Sequence, residues 1–540
     1  MSNIRALAAS RRQLLLGSAA SALVATMAFP ALAQSAPGTP KRGGALTLAV
    51  SPEPTTLVAL TTTGGSERKL SAKVIEGLLS YDEKLDPKPQ LATAWSIDPT
   101  GTRYTFTLRQ GVRWHDGKNF TAEDVAASIR ILQKSHPRGR TVFQNVTDIE
   151  IADPHTVTIV LSKPAPYLLY ALAASESPIV PAHLYKDGDV QKNRANTAPV
   201  GTGPYRFSNW VRGSHATFVR NPDYWDTSKP HIDRLTVRFI PDAGARAAAL
   251  EAGEVDLASE NPVPLADLDR LRKLPNLTAT SEGYTYNANG RRLEFNLDNP
   301  YLADAGVRQA VAHAINRVQL AEVVYLGYAS PVVSPISPLL ARFHTNDIEQ
   351  YGFDVARAEK LLDEAGYPRK EGGARFSLPL DYNPYASDYG AVANFLRDAL
   401  DKIGIRVTVR AQDFGSYVRR IFTERDFAFH VTGMSNLFDP TVGVQRIYWS
   451  QSFKPGVPFS NGSHYSNVEV DRLLEAAAIE PDEAKRRDLF VEFQKIVSRD
   501  IPVVNLVTIQ EFTVGARKVR DHSITADGVN GNFADVWIAQ

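Results

Sequence analysis

The stretch that decides the fold class covers residues 376–432, FSLPLDYNPYASDYGAVANFLRDALDKIGIRVTVRAQDFGSYVRRIFTERDFAFHVT. The spacing of its apolar residues predicts, in order, strand 376–382, helix 386–402, strand 405–411, short helix 416–424 and strand 427–432. Strands that alternate with helices in this way form parallel sheets through right-handed crossovers. We therefore expect an α/β fold.

The carboxyl ends of these predicted strands indicate where a ligand would bind. In open α/β sheets the ligand crevice lies outside the carboxyl ends of the strands. The three ends carry Tyr382 and Asn383, then Asp413, and then the loop 434–440. Tyr382, Asn383 and Asp413 are therefore candidate binding residues, and a role in the scaffold is the alternative for each of them.

The rest of the chain contains further strands and helices. Alternating apolar residues predict strands over 45–50, 103–109 and 156–161, and Thr121 with Asp124 is typical of a capping box at the start of a helix. Residues 80–195 therefore resemble a small α+β unit. Helices are predicted over 468–478 and 481–498, ahead of a strand over 501–509.

The composition excludes several classes of protein. The 540 residues include no cysteine, which rules out disulfides, thiolate metal sites, a cysteine nucleophile and a lipidated cysteine. The chain has 60 basic and 59 acidic side chains, a formal net charge of +1, and no basic stripe of the kind that nucleic-acid binding requires. We therefore expect no nucleic-acid partner, and two or three domains for a chain of this length.

The amino-terminal residues are typical of an export signal. Arg11 and Arg12 precede an uncharged run of small and apolar residues over 17–29, and Ala31 and Ala33 form an A-x-A cleavage pattern. This run is shorter than the ~20 residues that a membrane span needs. We predict a signal peptide over 1–33, of twin-arginine or Sec type, and a disordered leader over 34–44.

Motifs for catalysis are missing from the sequence. The 11 histidines are scattered, with no HExxH pair, and the chain has neither a G-x-S-x-G elbow nor a Walker lysine. We therefore expect no metal, no cofactor and no enzymatic activity. A secreted hydrolase whose carboxylates converge from distant positions is the alternative.

Several blocks of the sequence resemble a known family. They are LATAWSIDPTGTRYTFTLRQGVRWHDGKNFTAEDVAASIR over 91–130, GTGPYRFSNWVRGSHATFVRNPDYW over 201–225, FNLDNPYLADAGVRQAVAHAINR over 295–317, and parts of 351–368 and 465–502. In this order they resemble the extracytoplasmic solute-binding proteins of ABC importers, in the family with dipeptide-, oligopeptide-, nickel- and opine-binding members. A chaperone or sensor accessory on the same scaffold is a further alternative.

The resemblance implies an architecture and a function. The architecture is a two-lobe periplasmic binding protein of type II with an extra small α+β domain on the first lobe. Lobe one would hold residues 42–78, 199–288 and 506–540, the extra domain 79–198, and lobe two 289–505. The function would be a soluble, monomeric periplasmic receptor without a lipid anchor, which closes around a small organic solute and delivers it to the ABC permease.

The resemblance also marks the loop after the last strand of the unit as a binding loop. Peptide-binding relatives have an aspartate four residues before a proline, which pairs with the α-ammonium group of the peptide, and here that position is Asn436. Oligopeptide binders have an arginine six residues earlier, where this chain has His430.

A neutral asparagine supplies only a dipole to a buried cation, and an unpaired buried charge costs several kcal/mol. Either Asp439 binds the cation, with a capping role before Pro440 as the alternative, or the solute is not an ordinary peptide. Trp449 is a candidate aromatic wall. Peptides are the expected solutes, and opines, sugars and modified amino acids remain open.

Overall fold

The computed structural model describes residues 38–386 and 388–539. The predicted signal peptide over 1–33 lies outside the described residues, as do residues 34–37 of the predicted leader. Within the described part, none of the helices combines the length and the apolar character that crossing a membrane would require.

The strands of the described chain are β1 Ala45–Val50, β2 Leu79–Tyr81, β3 Pro87–Pro89, β4 Ala92–Ile97, β5 Arg103–Leu108, β6 Val146–Asp153, β7 Thr156–Leu161, β8 Tyr205–Val211, β9 His215–Arg220, β10 Arg234–Phe239, β11 Leu257–Ala258, β12 Leu277–Thr280, β13 Asn289–Phe295, β14 Ala329–Pro331, β15 Phe376–Tyr382, β16 Ile405–Arg410, β17 Phe429–Ser435, β18 Val503–Ile509, β19 Thr513–Ala516, β20 Val519–Arg520 and β21 Trp537–Ile538.

The α-helices of the described chain are α1 Gly65–Val74, α2 Ala122–Ser135, α3 Gly139–Val142, α4 Ala182–Tyr185, α5 Ala243–Glu251, α6 Leu265–Arg272, α7 Ala305–Ala314, α8 Arg317–Tyr325, α9 Val355–Glu364, α10 Asp388–Asp401, α11 Phe414–Val418, α12 Pro440–Gly443, α13 Gln445–Tyr448, α14 Val468–Ile479 and α15 Glu483–Asp500. A π-helical turn, Arg419–Glu424, continues α11.

A seven-stranded sheet is built from both ends of the chain. Its strand order is β12-β19-β11-β1-β10-β9-β8, with β1 parallel to β10 and β11. The first strand has the predicted bounds, and Leu46 and Leu48 are buried because alternate side chains of a strand share one face. This sheet forms the base of the first lobe.

The six-stranded sheet confirms the fold predicted from residues 376–432. Its order is β14-β18-β13-β17-β15-β16, and β15 lies parallel to both β16 and β17. One face packs on a core that includes Leu293, Phe295 and Val431, and α10 covers the same core through Val392 and Leu396. The α/β two-lobe architecture therefore follows from the two sheets.

A four-stranded antiparallel sheet, β4-β5-β7-β6, occupies part of the region predicted as the extra α+β domain. Tyr104 and Phe106 are buried on one face of β5, as the alternation predicted. The capping box of α2 is confirmed, since the Asp124 carboxylate accepts a hydrogen bond from the backbone N–H of Thr121 at 2.9 Å.

The chain crosses between the two large sheets at two places in the described residues. It leaves the seven-stranded sheet after β12 and enters the six-stranded sheet at β13, and it returns between β18 and β19. The second crossing covers residues 510–512, because β18 belongs entirely to the six-stranded sheet and β19 to the seven-stranded sheet. The predicted lobe boundaries stay a prediction.

Candidate functional site

A row of ionisable side chains runs across the second face of the six-stranded sheet. Glu294 on β13 lies opposite His430 on β17, which neighbours Asp381 on β15, which in turn neighbours Arg410 on β16. Paired residues on adjacent strands point to the same face, so these four side chains form one line. Glu294, His430 and Asp381 are fully buried.

The candidate His430 is held within this row. Its Nδ1 lies 2.8 Å from the Tyr417 hydroxyl, and its Nε2 lies 3.9 Å from Glu294 Oε2. Phe422 and Phe427 meet the imidazole edge-on. His430 is therefore held by Tyr417 and the two phenylalanines, and its Nε2 has no hydrogen-bond partner among the described residues.

Glu294 also pairs with Arg292, two residues earlier on β13. Arg292 Nη2 lies 3.1 Å from Glu294 Oε2. Although burial favours the neutral acid, the charge of Arg292 and the nearby His430 hold the pKa of Glu294 below its usual value. The pair is therefore an ionised, desolvated ion pair.

The candidate Asn436 lies beside this pair. It is 5 % exposed, and its side-chain oxygen accepts a hydrogen bond from the backbone N–H of Ser337 at 2.7 Å. Asn436, Ser337, Asn505 and Arg292 line one small cavity. The structure therefore places Asn436 next to the guanidinium group of Arg292. In the sequence, this position was expected to meet the ammonium group of the solute.

The candidate Asp439 has a full set of protein partners. Arg486 Nη1 and Nη2 donate to its two carboxylate oxygens at 2.6 and 2.7 Å, and both side chains are buried. Asp439 also caps α12 by accepting a hydrogen bond from the backbone N–H of Thr441 at 2.9 Å. This geometry favours the capping alternative over a bond to the solute.

The three residues from the strand ends have separate environments. Asp413 is the N-cap of α11 and accepts a hydrogen bond from Ser416 N at 3.0 Å. Asn383 accepts one from Tyr385 N at 2.9 Å. Tyr382 packs against the core under α10, because the alternation of β15 points Asp381, and not Tyr382, to the polar face.

Trp449 is held by scaffold contacts. Its indole N–H donates to Glu475 at 2.9 Å, and its ring packs against the larger hydrophobic core. A different aromatic row, which sequence reasoning missed, is exposed. The ring centres of Tyr385 and Phe414 are 6.1 Å apart, those of Phe414 and Phe459 are 6.2 Å apart, and Tyr385 is 67 % exposed.

Tyr385, one member of the aromatic row, lies close enough to charged residues of the first lobe to feel their charge. Partial burial raises the pKa of the Tyr385 phenol, and the carboxylates of Glu260 and Glu67 add to this rise. Lys69 Nζ lies 3.3 Å from Glu260 Oε2 on the same side. The two lobes therefore face each other across a space that we call the inter-lobe cleft, bounded here by Lys69, Glu260 and Tyr385.

One end of the cleft holds a pair of carboxylates. Burial and the neighbouring Glu260 raise the pKa of Glu511 to about 7, while Asn289 Nδ2 donates to both oxygens of Glu511 at 3.1 Å. Glu511 lies in the second crossing segment and Asn289 begins β13. This end of the cleft therefore adjoins both connections between the lobes.

The cleft is also rich in arginine, and Arg68 lies close enough to Glu260 for their charges to interact. Arg138, from the region of the four-stranded sheet, donates to both oxygens of Glu176, and Arg68 Nη1 lies 3.2 Å from Glu176 Oε1. Burial lowers the pKa of Arg446 on α13 to about 10, and the charges of Arg292 and Arg138 contribute to this decrease. Sequence reasoning missed these arginines, although Arg292 and Glu294 alternate with Leu293 and Phe295, a period of two that marks a polar strand face.

Comparisons with known proteins agree with this architecture. Residues 86–456 match the family model described as bacterial extracellular solute-binding proteins, family 5 Middle. The glutathione-binding protein GsiB of Salmonella typhi is 30% identical over 440 residues, which cover 80% of this chain and 82% of the relative.

Solved structures of such proteins superpose on most of the chain. DppA from Helicobacter pylori, in complex with the peptide STSA, has a TM-score of 0.77 and 27% identity, and the match covers 93% of this chain and 99% of DppA. AgaA from A. tumefaciens R10, in complex with agropinic acid, has a TM-score of 0.76 and 27% identity, with coverage of 92% and 99%.

Proposed function

Since the chain belongs to the bacterial extracellular solute-binding proteins of family 5, we propose that it captures a small peptide-like or amino-acid-derived solute in the inter-lobe cleft and delivers it to an ABC permease. The observation that carries this proposal is the cleft itself. It lies between two sheets that are joined at two places in the described chain, and charged and aromatic side chains from both sides face it.

The working motion is a closure of the lobes about the two crossing segments. Backbone bonds from Asn436 N to Ala288 O at 3.2 Å and from Leu437 N to Asn287 O at 3.0 Å tie the binding loop to the first crossing. A solute that contacts both lobes binds the closed state better than the open one and shifts the equilibrium toward closure. The closed form would then dock on the permease.

The chemistry of the cleft suits a zwitterionic organic solute. Glu260 and Glu511 offer carboxylates to a cation, the arginines offer donors to an anion, and Tyr385 and Phe414 offer apolar surface. Relatives named for glutathione, a peptide and agropinic acid support a solute of this kind. Opines and modified amino acids are included because Asn436 replaces the aspartate expected of peptide binders.

The location and assembly follow from the same proposal. The export signal over 1–33 would carry the chain to the periplasm, and the absence of cysteine leaves no residue for a lipid anchor. We propose a free, monomeric receptor whose partner is the permease. It has no catalytic role.

Small-angle scattering with a panel of candidate solutes tests the proposed function. Glutathione, di- and tripeptides and opines are added to the purified protein, and at least one should reduce the radius of gyration. Tyr385→Ala should weaken the response without unfolding the protein, because this side chain is 67 % exposed. Phe353→Ala, at an exposed aromatic residue away from the cleft, is the matched control. A shape that no solute changes would contradict the proposal.

A further inference from the structure

Arg342 joins two parts of the molecule that are far apart in the chain. It lies on the loop between β14 and α9, within the predicted lobe two, and its side chain reaches residues of the predicted extra domain. Nη1 donates to the Tyr170 hydroxyl at 2.7 Å, Nη2 donates to the carbonyl of Lys84 at 2.8 Å, and Nη2 lies 3.5 Å from Asp86 Oδ1. The guanidinium carbon also lies 4.9 Å from the centre of the Tyr170 ring. Both terminal nitrogens of Arg342 are therefore bound to protein oxygens.

The loop that carries Arg342 is fixed to helix α15. Arg487 Nη1 donates to the carbonyl of Arg342 at 2.9 Å. Gln494 Nε2 donates to the carbonyl of the next residue, Phe343, at 2.9 Å, and the Phe343 ring meets the ring of Phe490 edge-on, with the ring centres 5.2 Å apart. The position of Arg342 therefore follows that of α15.

The acceptors of this guanidinium group are held in place by contacts of their own. Lys84 and Asp86 lie in the turn between β2 and β3, where the Asp82 carboxylate accepts hydrogen bonds from both of their backbone N–H groups at 3.0 Å. The backbone carbonyl of Tyr170 accepts a hydrogen bond at 2.8 Å from the hydroxyl of Tyr286, in the first crossing segment. Since these contacts do not involve the arginine, its removal should disconnect the two parts without unfolding either of them.

Apolar packing between the two parts is interrupted beside Tyr170. A cavity of about 300 Å³ lies there, with Leu169 and Tyr170 on one side and Phe343 and Pro481 on the other. Side chains on opposite walls of a cavity do not touch and gain no dispersion energy from each other. At this place, the hydrogen bonds of Arg342 therefore provide a connection that apolar packing does not.

We propose that Arg342 is a clamp, whose hydrogen bonds to the predicted extra domain form when the lobes close and stabilise the closed form. The inference rests on the proposed function and adds to it a residue that sets how tightly the solute is retained, without contact with the solute. The apparent affinity of a receptor that closes around its solute increases with the stability of the closed form. Hydrogen bonds to a charged group are among the stronger ones in proteins. Loss of the clamp should therefore weaken the binding of every solute by the same factor, roughly 10-fold.

Calorimetry and stopped-flow kinetics with glutathione, Ala-Ala, Ala-Ala-Ala and octopine test the clamp. Arg342→Gln should weaken each solute that binds by a similar factor, mainly through faster dissociation, because the solute enters the open form. Arg472→Gln is the matched control, since Arg472 donates to Glu469 at 2.8 and 2.6 Å within α14 and connects no separate parts. Unchanged affinities and dissociation rates in Arg342→Gln would overturn the proposal. A loss confined to one of several bound solutes would also overturn it, because a direct contact with the solute gives that result.

A second variant removes a single bond of the clamp. Tyr170→Phe lacks only the hydroxyl group and should weaken the solutes roughly 3-fold to 5-fold. The double variant with Arg342→Gln should lose less than the product of the two factors, because both changes remove the same hydrogen bond. The melting temperature of ligand-free Arg342→Gln should equal that of the unmodified protein. A marked decrease would assign Arg342 to the scaffold and overturn the clamp.

A measurement of distance separates the clamp from the proposed function. Because the chain has no cysteine, spin labels can be attached to cysteines introduced at two exposed positions, Glu123 on α2 and Asp488 on α15. Double electron–electron resonance should show that Arg342→Gln increases the share of the longer distance between the labels. If no solute binds but this distance lengthens, the proposed function fails and the clamp between the two parts stands. If no solute binds and the distance is unchanged, both fail. If solutes compact the protein while affinities and distances are the same in Arg342→Gln, the clamp fails and the proposed function stands.

Discussion

The buried pair of Asp439 and Arg486 permits a quantitative test of what the binding loop does. Both side chains are nearly or fully buried, and two hydrogen bonds of 2.6 and 2.7 Å join them. Arg486→Met leaves the Asp439 carboxylate in the interior without its cation. Breaking a buried pair from one side costs about 3–5 kcal/mol, so we expect the free energy of unfolding to fall by this amount.

The loss in the free energy of unfolding should depend on which partner of the Asp439–Arg486 pair is removed. Asp439→Asn keeps an oxygen that can still accept from Thr441 N, and Arg486 keeps its bonds to Ala477 O at 2.7 Å and Thr441 Oγ1 at 2.8 Å. This variant should therefore lose less than Arg486→Met, about 2–3 kcal/mol. The double variant should lose less free energy of unfolding than the two single variants added together, because both single changes remove the same interaction.

Urea unfolding followed by tryptophan fluorescence measures these losses. The exposed pair Arg472 and Glu469 is the matched control, since its atoms are 2.6 Å apart and yet Arg472→Gln should cost less than about 1 kcal/mol. A stable Asp439→Asn protein that had lost its affinity for every solute of the panel would refute the reasoning. It would show that Asp439 binds the solute and does not serve the scaffold.

Three further predictions concern other parts of the chain. Burial raises the pKa of Glu76 to about 7, so folding takes up a proton between pH 4.5 and 7, and Glu76 costs the folded state about 3 kcal/mol as pH rises through this window. Urea unfolding should therefore show that Glu76→Gln gains stability relative to the unmodified protein at pH 7.5 but not at pH 4.5. The same dependence of stability on pH in both proteins would contradict the raised pKa of Glu76. Gly201→Ala should prevent folding, because its Cβ would lie 1.8 Å from the carbonyl oxygen of Val74, and a normal circular dichroism melt would contradict this. Asn436→Asp should not strengthen calorimetric binding of Ala-Ala-amide, because the new carboxylate would lie beside Arg292 in the same small cavity, and a marked gain in affinity would show that the position meets the ammonium group of the solute.

Local periodicity was sufficient to predict the β-α-β-α-β unit of the six-stranded sheet. The strand, helix and strand over 376–411 were predicted within a few residues because apolar spacing and sheet pairing are both local there. The capping roles of Asp413 and Asp439 also depend on residues a few positions away, which explains why the capping alternative could be kept open for Asp439. The strand-end argument made Tyr382 a candidate binding residue; its side chain packs against the core, and a role in binding stays a prediction.

The arginines of the cleft could not be predicted in this way. Arg138 and Arg446 are far apart in sequence, and no local sequence pattern predicts that their charges interact in the fold. The aromatic row could not be predicted for the same reason, because Tyr385, Phe414 and Phe459 come from three separate loops or helix starts. Proximity of this kind is set by the packing of whole lobes and by the pairing of distant strands.

The position of β19 has a consequence for the order in which the protein is completed. This strand lies between β11 and β12 in the seven-stranded sheet, although nearly the whole chain is synthesised before it. The six-stranded sheet also waits for a late strand, since β18 at residues 503–509 lies between β14 and β13, but all of its strands come from one continuous stretch over 289–509. Until residues 513–516 are available, β11 and β12 each present an unpaired edge, which is a site for aggregation and for slow, non-local closure. In a nascent chain, these strand edges of the first lobe therefore need protection from aggregation long after the first strand of that lobe has been made.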